Sequence, residues 1–238
     1  MKYNFLVTGS DGFIGTNLCS FLRKRGHDVE GWDIKLGKDA WNLTVDDTKD
    51  KIVIHLAGKS GVREGGSFTE NWSLTKRVAS VSDKIMLASS SNAQFPTVNN
   101  YAMSKKKSEQ LIGQYGISMR FSTVYGPHAR DNMLYGLIRD KKLEWVSDHI
   151  RDFIHVDDVC EAVELMAVKY DQFKGKTVDV STGKGVVVSQ LCNMLDLDFW
   201  AKPHPKNEVH NNVEIPKLLM KHGWQPRRDV FTEFFQII

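Results

Sequence analysis

Short apolar blocks alternate with stretches of helical spacing through the first half of the chain. Asn4–Thr8, Asp28–Trp32, Lys51–Leu56, Lys84–Ala88 and Ile117–Phe121 read as strands. Between them, Phe13–Arg25 sets Phe13, Ile14, Leu18, Phe21 and Leu22 on one helical stripe and stops at Gly26, the residue that most easily ends a helix. Asn71–Ser80 and Tyr101–Gln114 read as further helices. Strand and helix in alternation predict an α/β fold, a doubly wound parallel sheet with helices on both faces. After Gly126-Pro127 the rhythm loosens into a helix at Asp157–Lys169, a strand at Thr177–Val180 and a proline-containing tail from Lys202. The expected division is a first domain over residues 1–127, with 151–181 returning to it, and a small C-terminal lobe over 128–150 and 182–238.

Composition narrows this picture. The chain has 238 residues, 41% hydrophobic and 26% charged, enough for one sizeable core with a modest second lobe. No apolar run reaches the roughly 20 residues a bilayer crossing needs. The N-terminus leads directly into a strand, so a cytoplasmic protein with no membrane partner is expected. A net charge of +3 suits a small anionic ligand and is too low for a nucleic-acid surface. Cys19, Cys160 and Cys192 are far apart, with no CxxC pair or histidine at ligand spacing, so buried free thiols and no metal site are expected.

The first strand and helix are joined by Val7-Thr-Gly-Ser-Asp-Gly-Phe-Ile-Gly15. Gly9, Gly12 and Gly15 let the backbone turn sharply and approach a pyrophosphate, while the helix start offers free N–H groups to that anion. Gly9, Asp11, Gly12, Phe13, Ile14 and Gly15 are therefore the candidate cradle of a dinucleotide, in a Rossmann-type fold. Asp33, 24 residues after Gly9 at the end of the next strand, is placed to bond the adenosine ribose hydroxyls and to repel a 2′-phosphate, which favours NAD.

A second constellation carries chemistry. In Tyr101-Ala-Met-Ser-Lys105 a phenol and an ammonium share one helix face at i and i+4. A phenol ionises near pH 10 in water, so it serves as a base at neutral pH where positive charge stabilises the phenolate, and Lys105 and an oxidised nicotinamide are both expected to supply that charge. Upstream, Leu87-Ala-Ser-Ser-Ser-Asn92 ends a strand in hydroxyls at the carboxyl edge, where such sheets bind ligands. Ser90 and Ser91 are the candidates there for contact with a substrate oxygen.

At these residues the chain resembles the extended short-chain dehydrogenase/reductase family, in its nucleotide-sugar epimerase/dehydratase branch of the UDP-glucose 4-epimerase kind. His55-Leu-Ala-Gly58 is similar to the family's HLAA strand end beside the cofactor, which implies cofactor contacts at Leu56, Ala57 and Gly58. Asn71 matches the asparagine of the next helix. Ser89-Ser-Ser-Asn-Ala-Gln-Phe95 is similar to SSxxVY and aligns Ser91 with the catalytic Ser/Thr, while Tyr101 and Lys105 match YxxxK. Arg120-Phe-Ser-Thr-Val-Tyr-Gly-Pro127 resembles RxxNVYGP, and Arg151-Asp-Phe-Ile-His-Val-Asp-Asp158 is almost the branch's RDFIHVDD. Asp179–Gly183 and His222–Pro226 resemble its NIGTG and LGWxP segments. The resemblance implies NAD, a nucleotide-diphosphate sugar substrate held by Arg151 and Asn132, a homodimer, and catalysis by Ser91, Tyr101 and Lys105. Transient oxidation of the sugar, at C4, with return of hydride to the other face would make the chain an epimerase.

The chain also departs from the family. Thr123 replaces the asparagine of RxxN, Gln94-Phe95-Pro96 replaces VYG, the Ser91–Tyr101 interval is short, and the substrate lobe is trimmed. The Asp-Glu pair of 4,6-dehydratases is missing, which disfavours water elimination. A net reductase or dehydrogenase, and a non-catalytic NAD-binding sensor, are the rival readings.

Overall fold

The computed structural model describes residues 1–60 and 68–237. Its strands are β1 (Asn4–Thr8), β2 (Asp28–Trp32), β3 (Ile52–His55), β4 (Lys84–Ser90), β5 (Ile117–Phe121), β6 (Thr123–Tyr125), β7 (Trp145–Val146), β8 (Ile150–His155), β9 (Thr177–Val180), β10 (Gly185–Val187) and β11 (Trp200–Ala201). Its α-helices are α1 (Phe13–Lys24), α2 (Val45–Thr48), α3 (Thr69–Ala79), α4 (Asn100–Ile112), α5 (Leu134–Arg139), α6 (Val156–Val168), α7 (Tyr170–Phe173), α8 (Val188–Met194), α9 (Lys217–Lys221) and α10 (Val230–Ile237). The strands and helices expected from periodicity form, with ends that differ by at most two residues. β4 runs two residues beyond the expected end and takes Ser89 and Ser90 into the sheet.

Six strands make one sheet in the order β2-β1-β3-β4-β5-β9, and every pairing is parallel. This is the doubly wound Rossmann-type architecture. The order reverses at β1, so the turns leaving β1 and β3 open a crevice at the carboxyl edge. Residues after 150 rejoin this sheet through β9, which pairs with β5. The rest of the C-terminal half builds a sheet of β10, β8 and β6 and a two-stranded ribbon of β11 with β7.

Strand alternation divides the core. Phe5, Val7, Ile52, Ile54, Met86 and Ala88 point to one face, under α1 and α6. Leu6, Val53, Ile85 and Leu87 point to the other, where Val78 of α3 and Ile112 of α4 close over them. Burial on both faces is what a parallel sheet requires. Cys19, Cys160 and Cys192 are buried free thiols, and burial pushes Cys19 and Cys192 up to about 11. Among the described residues no helix is long and apolar enough to cross a membrane, and no group of three or more His, Cys, Asp or Glu could hold a metal ion.

The C-terminal segment is tied to α6 through the carboxylate of Asp158. Asp158, fully buried near the start of α6, accepts from the backbone N–H groups of Arg227 (3.1 Å) and Arg228 (3.0 Å) and from Arg228 Nη1 (2.9 Å). Asp158→Ala leaves these donors without their acceptor, so a loss of about 2–3 kcal/mol in unfolding free energy is expected by denaturant titration.

Candidate active site

A cavity of about 730 Å³ opens at the carboxyl edge and reaches from the glycine turn to α4. Gly9 takes φ +70°, and a Cβ there would stand 2.7 Å from Ala57 N. A Cβ on Gly15 would lie 2.1 Å from Gly9 O, so the first helical turn can pass under the β1 turn only as glycine. Gly12 caps α1 without a side-chain bond, and the first turn of α1 holds no acidic residue, which leaves its N–H groups to an anion. Gly9, Asp11, Gly12, Phe13, Ile14, Gly15, Asp33, Leu56, Ala57 and Gly58 all line the cavity. Asp33 Oδ2 accepts from Asp11 N at 3.1 Å and Oδ1 from Lys35 N at 3.0 Å, which fixes the carboxylate beside the turn. Across the cavity floor a Cβ on Gly58 would come within 3.1 Å of Asn71 Oδ1. Residues that leave room for backbone approach, a bare helix start and a placed carboxylate fit a dinucleotide.

The chemical groups stand on β4 and α4. Asn99 caps α4 through the N–H of Ala102, and the next turns carry Tyr101 and Lys105 on one face. Lys105 is buried and its Nζ donates to Ala88 O at 2.8 Å, 5.9 Å from the Tyr101 ring centre. Burial lowers the Lys105 ammonium to about 8, against an upward pull from Glu109. Burial raises Tyr101, and a hydrogen bond with Ser90 and the positive charge of Arg130 work against it. In the chain alone the groups that oppose this burial are thus Ser90 and Arg130. Arg130, on the cavity wall, also donates to Ser60 Oγ.

The structure places the two candidate serines differently. Ser90 lines the cavity, where its hydroxyl works against the upward shift that burial gives Tyr101. Ser91 begins a short 3-10 turn, is buried, and its Oγ accepts from Asn212 Nδ2 at 2.9 Å. The chain leaves the strand at Ser90, and the 3-10 turn that begins at Ser91 carries its hydroxyl toward Asn212. Two further residues are not brought to the cavity wall. Asn132 is exposed ahead of α5, and Arg151 donates to Val209 O at 2.8 Å and pairs with Glu208 at 3.4 Å. Arg130 and Asn212 escaped sequence reasoning, since a lone arginine in a loop and a contact across 121 residues leave no periodic signal.

Such a site, a dinucleotide crevice with Tyr, Lys and Ser on its wall, defines a Rossmann-type oxidoreductase-like enzyme. The pattern described as the NAD dependent epimerase/dehydratase family matches residues 5–181. The chain belongs to that family, and its cofactor is NAD. It is 28% identical to GDP-6-deoxy-D-talose 4-dehydrogenase of Aggregatibacter actinomycetemcomitans, over 90% of this chain and 87% of the relative. Among solved structures it is similar to MoeE5 in complex with UDP-glucose and NAD, with TM-score 0.85 and 25% identity, covering 98% of this chain and 97% of that one. It shares its fold with UDP-glucuronic acid 4-epimerase from Bacillus cereus, with TM-score 0.82 and 20% identity, covering 100% and 99%.

The two serines give a direct comparison. Ser90→Ala is expected to lower kcat by about 10²-fold, as removal of a hydroxyl from the reacting set does. Ser91→Ala is expected to stay within about threefold of wild type, having lost one buried hydrogen bond of about 1 kcal/mol.

Proposed function

We propose that this protein interconverts C4 epimers of a nucleotide-diphosphate sugar. The observation that carries the reading is the shared cavity, in which Tyr101, Ser90 and Lys105 face the same space as the glycine turn and Asp33. Bound NAD supplies a reversible hydride acceptor. The chain's part is proton handling and orientation. Tyr101, as the phenolate that the positive charges of Lys105 and bound NAD favour, takes the proton of the sugar hydroxyl as the carbon is oxidised, and returns it once the ketone has turned over. Ser90 fixes the sugar oxygen against Tyr101. Lys105, pinned at Ala88 O, places a positive charge where negative charge develops. Arg151 and Asn132 remain the proposed diphosphate and nucleotide contacts; Arg151 engages a phosphate once its guanidinium leaves Val209 O and Glu208.

The relatives' names support position 4, since a 4-dehydrogenase and a 4-epimerase both act there by name. Arg130 favours a sugar with an anionic substituent, because a guanidinium on the wall beside Tyr101 would otherwise face a neutral ring. One of the solved relatives is bound to UDP-glucuronic acid.

The test is to denature the purified protein, identify any released dinucleotide by mass, and assay the intact protein without added cofactor on UDP-, GDP- and dTDP-sugars, UDP-glucuronate included. Sugar interconversion without net cofactor use is expected. Turnover only with added cofactor makes the chain a dehydrogenase or reductase, and binding without turnover makes it a sensor. Tyr101→Phe is expected to keep NAD binding and to lose about 10²–10⁴ in kcat; near wild-type turnover would sink the mechanism.

The Lys105 ammonium sets an alkaline limit. Its charge is present below about 8 and is lost as pH rises through that value, so kcat is expected to fall on the alkaline side. Between about 8 and the ordinary 10.5 the folded chain holds fewer protons than the unfolded one, so its stability rises with pH across that window. Lys105→Arg, charged throughout, is expected to flatten the alkaline limb of the kcat profile at a lower overall rate.

A further inference from the structure

Three consecutive residues of β4 meet three side chains of α4. Ala88 O accepts from Lys105 Nζ at 2.8 Å, Ser89 Oγ donates to Glu109 Oε1 at 2.7 Å, and the Ser90 hydroxyl works against the upward shift that burial gives Tyr101. Tyr101, Lys105 and Glu109 stand at i, i+4 and i+8, one face of the helix. Tyr101 and Lys105 line the cavity; Glu109 lies behind them with its side chain 4% exposed. From β5, Arg120 Nε donates to Glu109 Oε1 at 2.7 Å and Nη2 to Oε2 at 2.8 Å, a two-pronged pair. Arg120 is the register partner of Ser89, so strand and helix converge on one carboxylate.

We propose that Glu109 is a positioning residue for the reaction: it locks the strand end that bears Ser90 against the helix that bears Tyr101, and it sets a carboxylate one turn beyond the Lys105 ammonium on the same helix face.

The surroundings of Lys105 single out Glu109. On its own helix stand Tyr101 and Glu109. From β3 comes His55, which burial and the charge of Lys105 hold near 3 and therefore neutral, with its Nδ1 bonded to Thr8 Oγ1. Arg120 lies behind Glu109, Arg130 lies beyond Tyr101, β4 offers the carbonyl of Ala88, and α3 offers the amide of Asn71. Glu109 supplies the upward pull on Lys105 against its burial. A buried carboxylate is retained at a cost unless its bonds are complete, and here they are complete toward the two strands that form the site.

The kinetic part of this inference rests on the proposed roles of Tyr101, Lys105 and Ser90, whereas the titration of Lys105 can be read on the chain without substrate. In lysine-labelled protein, with the Lys105 resonance assigned through Lys105→Arg, Glu109→Gln is expected to lower the titration midpoint by about one pH unit. In the NAD-loaded enzyme the same variant is expected to lose about tenfold in kcat with KM within about twofold, and its alkaline limb moves by the same interval. Ser89→Ala cuts the tie and keeps the charge, so a lower kcat with an unmoved limb is expected. An unmoved midpoint in Glu109→Gln, or a moved midpoint with wild-type kcat, overturns the proposal. Should that variant fail to fold, wild-type kcat in Ser89→Ala overturns it. Loss of all sugar turnover in the unaltered protein, with the midpoint still shifted, would overturn the epimerase reading and leave the charge coupling standing.

Discussion

Because all six strands of the main sheet run the same way, every strand ends at one edge, and both faces must be covered by apolar side chains. Polar chemistry is excluded from the faces and collects where the strands stop. The glycine turn after β1, Asp33 after β2, the Leu56–Gly58 turn after β3 and Ser90 at the end of β4 are consecutive stations along that edge. What each can do there is set by how closely the chain packs. Gly9 meets Ala57 and Gly15 meets Gly9 at distances that no side chain survives, and that closeness makes the crevice narrow enough to grip an extended anion.

The same edge explains a tension in the electrostatics. A lysine withdrawn from water at 9% exposure loses much of its preference for the charged form, and a buried phenol holds its proton. The fold answers with fixed partners in place of solvent: a carbonyl for the ammonium, a serine hydroxyl for the phenol, and a carboxylate one turn further along the helix. Each is local in space and held by the sheet. This arrangement needs no large rearrangement to act, as expected of a preorganised polar site.

Much of this was legible in the residues. The strands and helices that carry the site follow from apolar period, and the glycine spacing, Asp33 and the Tyr101–Lys105 pair could be read because each depends on short sequence separation. Ser90 and Ser91 were both legible as candidates, but residue counting could not say which of them lines the cavity and which packs against Asn212, a contact 121 residues away. Arg151 was readable as a motif but not as a partner of Val209 and Glu208, because the segment that engages it begins more than fifty residues later. Arg130 was illegible for a related reason, since its importance comes only from the wall on which its loop is laid. Glu109 stood in plain view at helical spacing from Lys105, and its meaning emerged only with Arg120 and Ser89 in register beside it.

The segment between Asn207 and Asn212 crosses from one part of the molecule to another. Asn207 O receives Asn99 at the head of the helix bearing Tyr101, Val209 O receives Arg151, and Asn212 holds Ser91 and Asn92. On a ribosome this segment emerges after every strand of the main sheet, the last of which ends at Val180. A growing chain can therefore complete its main sheet and the glycine turn at its edge before residues 207–212 are there to receive Asn99 and Arg151 and to hold Ser91.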